Sequence, residues 1–116
     1  MKLFGIPNCN TVKKARDWLD ANGVSYEFHD YKKQGIDEAT LNCWLSQQPW
    51  EKLINRAGMT WRNLSDAEKT AVKDNSSATA LMQSKTSVIK RPILVKEDKI
   101  LDLGFDEPAY RKLFEK

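Results

Sequence analysis

Lys2-Leu3-Phe4-Gly5-Ile6-Pro7-Asn8-Cys9-Asn10-Thr11-Val12 decides the reading of this chain. Residues 2–6 form a short apolar run and predict a strand. Pro7-Asn8 turns the chain. Cys9-Asn10-Thr11 then opens an amphipathic helix to about Asn22, with Val12, Ala15 and Leu19 on one side and Trp18 beside them. A helix N-terminus presents unsatisfied N–H groups and the positive end of the helix dipole. A thiol placed there loses its proton more easily, and thiolates are the reactive form of cysteine. The stretch therefore predicts an activated thiolate at Cys9, served by the N–H groups of residues 10–12.

The chain after this helix repeats the logic of alternating elements. Asn22-Gly23 stops the helix, since both residues tolerate left-handed backbone. Val24 to His29 alternates apolar and polar residues and predicts a second strand with one buried face. Strand, helix and strand of these lengths make a βαβ unit with parallel strands and a right-handed crossover. Tyr31 to Gly35 leaves the sheet. Asp37 or its neighbour caps a helix bearing Leu41, Trp44 and Leu45, and Trp50, Leu53 and Ile54 suggest a short helical piece. Residues 55–61 read as a loop. Ser65-Asp66-Ala67-Glu68 has the spacing of a capping box, with helix to about Asp74. Asn75-Ser76-Ser77 reads as a break before a short helix at 78–82. Pro92 precedes a buried strand at 93–95, which pairs with 99–103 across a tight turn at 97–99. A last helix runs from about Asp106 to Phe114, with Pro108 in its first turn.

Composition narrows the class. The chain has 116 residues, 41% of them apolar, which is enough for one domain with a hydrophobic core. The net charge of +3 is too small to call for nucleic acid and suits an anionic small ligand. There is no apolar run of membrane-spanning length, and the opening residues lack the pattern of a signal peptide. Cys9 and Cys43 do not look like a disulfide framework. A cytoplasmic location is expected, with no membrane partner and, absent an exposed apolar stripe, a monomer. One histidine and two separated cysteines make no metal-ligand pattern. Cys43 lies beside the Leu41/Trp44/Leu45 stripe and reads as a small apolar or half-buried residue rather than a resolving thiol. Trp44, Trp50 and Trp61 read as core. Lys13-Lys14-Arg16, Lys32-Lys33 and Lys90-Arg91 form basic clusters, for which a solvated face is the default.

Four stretches taken in order carry a resemblance: Gly5 to Ala15 around Cys9, His29-Asp30-Tyr31-Lys32-Lys33, Asn55-Arg56, and Lys90-Arg91-Pro92-Ile93. With the helical insert, the chain resembles the arsenate reductase-like (ArsC/Spx) family, and within it the YffB-type subgroup. The resemblance covers essentially the whole chain. It implies an α/β, thioredoxin-like (glutaredoxin-like) four-stranded mixed sheet with a helical insertion between the second and third strands. Residues 1–116 would form a single domain, with a core at about 1–35 and 85–116 and the insert at about 36–84.

The resemblance also implies a chemistry. Cys9 is the expected redox centre, forming a mixed disulfide in a glutathione-dependent thiol/disulfide oxidoreductase. Lys13, Arg56, Arg91, Asn10 and Thr11 are expected to bind the substrate or its anionic group. Pro92 is expected to be cis and to set the backbone before it beside the Cys9 sulfur. Glutathione is expected as cosubstrate, with glutaredoxin as a partner and no permanently bound cofactor. Arsenate reduction coupled to glutathione and glutaredoxin is the alternative, and a non-catalytic Spx-like regulator binding RNA polymerase is another. Three departures bear on these. Gly5 stands where arsenate reductases carry a histidine. Leu103-Gly104-Phe105 lacks their third arginine. Val12 stands where Spx-type proteins carry a second cysteine.

Overall fold

A computed structural model describes residues 1–116. In chain order the elements are β1 (Lys2–Gly5), α1 (Asn10–Ala21), β2 (Glu27–Asp30), α2 (Tyr31–Gln34), α3 (Glu38–Leu45), α4 (Trp50–Leu53), α5 (Met59–Arg62), α6 (Asp66–Ala71), α7 (Asn75–Ser84), β3 (Ile93–Lys96), β4 (Lys99–Leu103) and α8 (Glu107–Phe114). A 3-10 turn at Thr86–Val88 precedes β3. The chain divides into two compact units, residues 1–34 with 91–116, and residues 35–90.

The first unit holds one mixed sheet of order β2-β1-β3-β4. β1 runs parallel to β2 and antiparallel to β3, and β4 closes a hairpin with β3. The second strand is shorter than its alternation suggests. Pairing starts at Lys2↔Glu27, so Val24 to Tyr26 have no β1 residue opposite them. Glu27 N–H donates to the Met1 carbonyl at 2.9 Å, at the very start of the partner strand. The hairpin turn uses only Glu97 and Asp98, both with positive φ (51° and 67°), as a two-residue turn between twisted strands requires.

Strand alternation decides which residues are buried on each side of the sheet. Leu3 pairs with Leu94, and both face α1 and α8. Ala15, Trp18 and Leu19 come down from α1, and Tyr110 from α8, to complete this cluster. Trp18 and Tyr110 meet edge-to-face with centroids 5.6 Å apart, and Phe105 meets Tyr110 likewise at 4.7 Å. Each fully buried side chain of this size contributes about 1.5–3 kcal/mol of hydrophobic free energy. That packing, more than local propensity, holds α1 in place against the sheet.

Gly5 has a steric role here. A Cβ at this position would lie 2.8 Å from Val12 Cγ2 and 3.2 Å from Cγ1. No side chain fits at position 5 while valine stands at position 12. Gly5→Ala should therefore destabilise by about 1–3 kcal/mol through overpacking. Urea titration should also find the Gly5→Ala/Val12→Ala pair less destabilised than the sum of the single changes.

The second unit is helical. Leu41, Trp44, Leu53, Ile54, Ala78, Met82, Val88 and Ile89 are buried. An isolated antiparallel bridge joins Ile54 to Ile89, with Asn55 N–H donating to Val88 O and Lys90 N–H to Leu53 O, both at 2.8 Å. Several sequence expectations fail in this unit. Residues 59–62 turn out helical, although Met59 is 73% exposed and offers no apolar periodicity. Asn75-Ser76-Ser77 begins a helix instead of breaking one. Asp74 is its N-cap, accepting from Ser77 N–H at 2.8 Å, while Asp74 N–H donates to Ser77 Oγ at 3.1 Å. Polar residues that end one helix are also the residues that cap the next, and α6 already ends at Ala71. The Ser65/Glu68 capping box is present as expected. Trp44 is core, whereas Trp50 and Trp61 are only half-buried.

Candidate active site

Cys9 caps α1. Its backbone is extended (φ −110°, ψ 124°), and its carbonyl accepts the Lys13 N–H at 2.9 Å, the first bond of the helix. That conformation leaves its sulfur facing the Thr11 and Val12 N–H groups without a full capping hydrogen bond. These are the two positions whose N–H groups an N-cap side chain reaches. The thiol is half-buried. Partial burial pushes its pKa up. The Val12 N–H, a hydrogen bond from Arg91, the Thr11 N–H and the Arg91 charge outweigh that effect and bring it below its ordinary value.

Sheet register brings Arg91 to this place. β3 lies beside β1 with Ile93 opposite Phe4. Arg91 precedes β3, at the end of the sheet where β1 delivers the chain to Cys9. The Arg91–Pro92 bond is cis. Pro92 is buried, and its carbonyl accepts the Gly104 N–H at 2.7 Å. Of the residues expected at the site, the first unit brings together Cys9, Thr11 and Arg91. Asn10 is exposed at the first position of α1. Lys13 is exposed too. Arg56 belongs to the second unit, where it is exposed with its guanidinium 5.8 Å from the Trp50 ring centroid, within cation–π range. Cys43, also in that unit, is a half-buried thiol whose sulfur accepts from Gln47 Nε2 at 3.4 Å.

Arg16 departs from the solvated-face expectation. Its guanidinium lies 4.1 Å over the Phe28 ring, and its Nε donates to the Tyr26 hydroxyl at 3.3 Å. It packs against Tyr26 and Phe28 beside β2.

Tyr31 is the residue that sequence reasoning passed over. It reads as the point where the chain leaves the sheet, yet its side chain is 1% exposed. Its ring centroid lies 6.1 Å from Phe4 and 6.0 Å from His29, and the Phe4 and His29 rings are 4.6 Å apart. The signal was the period of two running through His29 and Tyr31, which carries strand alternation one residue past β2. Burial pushes the Tyr31 phenol well above its ordinary pKa, against the pull of the Arg91 charge.

A cysteine at the start of the first helix, on a mixed sheet of order β2-β1-β3-β4, is the thioredoxin-like arrangement. The chain belongs to the ArsC family, whose sequence model matches residues 4–113. The solved structure of a YFFB protein superposes with a TM-score of 0.88 at 45% identity, covering 96% of each chain. That of an arsenate reductase (ArsC) related protein from Brucella melitensis gives 0.78 at 44% identity, covering 99% of this chain and 94% of the other. An uncharacterized protein of Haemophilus influenzae is 37% identical over 112 residues, 97% of this chain and 96% of that one.

Proposed function

We propose that this protein is a glutathione-linked thiol–disulfide oxidoreductase with Cys9 as its only nucleophile. The observation that carries the reading is the pairing of Cys9, at the start of α1, with Arg91 across the sheet end. In the forward step the Cys9 thiolate attacks the glutathione sulfur of a glutathione mixed disulfide. A Cys9–glutathione disulfide forms, the old S–S bond breaks, and the other sulfur leaves as thiolate. Cys9 is oxidised and the departing thiol is reduced. A second glutathione thiolate, or glutaredoxin, then attacks the mixed disulfide and returns Cys9 to its reduced form. The rate follows thiolate fraction and access, which the two N–H groups and Arg91 favour. Arg91 is suited to a glutathione carboxylate because its planar fork accepts bidentate pairing. Lys13, Asn10, Thr11 and Arg56 are the further groups proposed to contact the substrate. Val12 leaves no second thiol in the first turn of α1, and another molecule is the proposed source of the electrons. The cytoplasm, where glutathione keeps thiols reduced, is the proposed location, and a monomer the proposed state.

Gly5 bears on the arsenate alternative. The histidine expected of arsenate reductases has no room beside Val12. The test is to incubate the protein with glutathione disulfide and locate the adduct by mass spectrometry. A single glutathione on Cys9, released by glutathione with turnover of a glutathione mixed disulfide, is expected. Modification of Cys43 alone, or arsenate turnover without disulfide turnover, would overturn the proposal.

A further inference from the structure

Arg16 and Asp20 stand one turn apart on α1, a spacing at which opposite charges ordinarily meet. Here no ion pair joins them. The residues at the start of β2 explain why. The Arg16 guanidinium is drawn 4.1 Å over the Phe28 ring, and its Nε donates to the Tyr26 hydroxyl at 3.3 Å. Its two terminal nitrogens donate to no protein acceptor, and the Asp20 carboxylate accepts from no protein donor. Both side chains line one cavity of about 580 Å³, with Val24, Ser25, Tyr26 and Phe28. That size falls within the roughly 300–1,000 Å³ of small-molecule sites. Arg16 lies seven residues after Cys9, about 10 Å further along the helix axis at its usual rise, so this is a separate place from the thiol.

The charges in this cavity select a ligand. Arg16 is half-buried, and a cation with part of its water removed and no counter-ion favours an anion from solution. The ring and the Tyr26 hydroxyl fix where the guanidinium stands, so its remaining edge is a prepared fork for a carboxylate. A plain anion placed there also meets Asp20, and like charges in one cavity repel. A group that carries an ammonium and a carboxylate on one carbon satisfies both walls. Ser25, on the stretch that no β1 residue faces, adds an exposed hydroxyl. Val24 and Phe28 are half-buried and supply apolar wall.

We propose that the cavity between α1 and the start of β2 binds the zwitterionic head of an α-amino acid, with its carboxylate on the Arg16 fork and the Ser25 hydroxyl, its ammonium on Asp20, and its side chain against Val24 and Phe28. A free amino acid and the γ-glutamyl end of glutathione present the same head. Binding here needs no chemistry at Cys9, so amino-acid binding and disulfide exchange stand or fall separately.

The test titrates the whole chain by NMR with L-leucine and with S-methylglutathione, whose thioether cannot exchange with Cys9. Saturable shifts of the Gly23, Val24 and Ser25 amides are expected from at least one of them, and the tighter of the two names the source of the head. Two analogues dissect it on the unmodified protein. 4-Methylpentanoate lacks the ammonium of leucine and 3-methylbutylamine lacks its carboxylate; each should bind about tenfold more weakly, as the loss of one hydrogen bond to a charged group predicts. Asp20→Asn should weaken L-leucine about tenfold and leave 4-methylpentanoate as it was or tighter, because the repelling charge is gone. Arg16→Lys, which keeps the charge and loses the fork, should weaken both. The pH midpoint for Cys9 alkylation should stay unchanged in either variant. No saturable shift at residues 23–25 with either ligand would overturn the proposal. So would 4-methylpentanoate binding as tightly as L-leucine, or Asp20→Asn weakening the two equally. Shifts from S-methylglutathione at Asn10 and Thr11 alone would refute the amino-acid site and leave the glutathione reading of Cys9 standing. Saturation of the cavity in a protein that forms no Cys9–glutathione adduct would do the reverse.

Discussion

Cys9→Ser is expected to abolish disulfide exchange, and Arg91→Ala to slow Cys9 alkylation at neutral pH by about tenfold. The serine variant removes the proposed nucleophile while keeping the N-cap, since serine caps helices well. Its fold should survive, and the loss should be purely chemical. The alanine variant removes both the hydrogen bond and the charge that Arg91 provides, leaving the Val12 and Thr11 N–H groups against the burial that raises the thiol pKa. Hydrogen bonds to charged groups contribute about 1.5–3 kcal/mol, and the partial exposure of Cys9 argues for the low end. The pH–rate profile should distinguish this from a general loss of access. Its midpoint should move to higher pH, while the plateau rate at high pH should stay equal or rise, because a more basic thiolate is the better nucleophile. A plateau that fell with no change of midpoint would show that Arg91 acts on access alone. The same linkage reaches stability. Folding lowers the thiol pKa, so the thiolate contributes stability above its unfolded pKa. That contribution is lost as pH falls through the folded value. Arg91→Ala should flatten this part of the stability profile.

Leu94→Ala should cost about 2–5 kcal/mol, the range for a buried leucine that leaves a cavity. Leu94 is 0% exposed, sits mid-sheet opposite Leu3, and packs with Ala15, Trp18, Leu19 and Tyr110. Those neighbours come from a strand and two helices, so the space cannot close without moving several elements. Against a typical total of about 5–15 kcal/mol for a domain, this is a large fraction. Chemical denaturation should show a lower midpoint with an unchanged slope. In the folded population the Cys9 alkylation midpoint should not move, because the groups that lower the thiol pKa are the Val12 and Thr11 N–H and Arg91, not Leu94 or its cluster partners. A midpoint that rose with the loss of stability would mean that the core, and not the local N–H groups and Arg91, sets the thiolate.

Local pattern made part of this legible. Cys9 at a helix start, the βαβ order, the cap residues Asp37, Ser65 and Asp106 and the hairpin after Pro92 all involve groups within a few residues of one another. Such short-range hydrogen bonding and apolar spacing are written directly in residue order. The expectations that failed did so where two local signals compete or where pairing partners are distant. Asp74-Asn75-Ser76-Ser77 is polar enough to end a helix and well suited to start one; only the early end of α6 at Ala71 resolves which. Val24 to Tyr26 alternate as a strand should, but a strand exists only where another offers its N–H and C=O groups, and β1 begins too late for them.

The sequence by itself determined the place of Cys9 at a helix start, the fold class, the family resemblance and the absence of a second thiol in the first turn of α1. Only the tertiary structure decided what surrounds the sulfur. Arg91 reaches Cys9 because β3 lies antiparallel to β1, a contact across more than eighty residues of chain that no local pattern encodes. Lys13, one helical turn from Cys9 in sequence, stays exposed. Tyr31 sits buried at the end of β2 with its hydroxyl unbonded, a position that depends on the register of Gly5 against Asp30. Gly5 is bare because Val12 fills the space above it. For Arg91 and Tyr31 the deciding quantity is a distance between residues far apart in the chain, and such distances exist only once the sheet has closed.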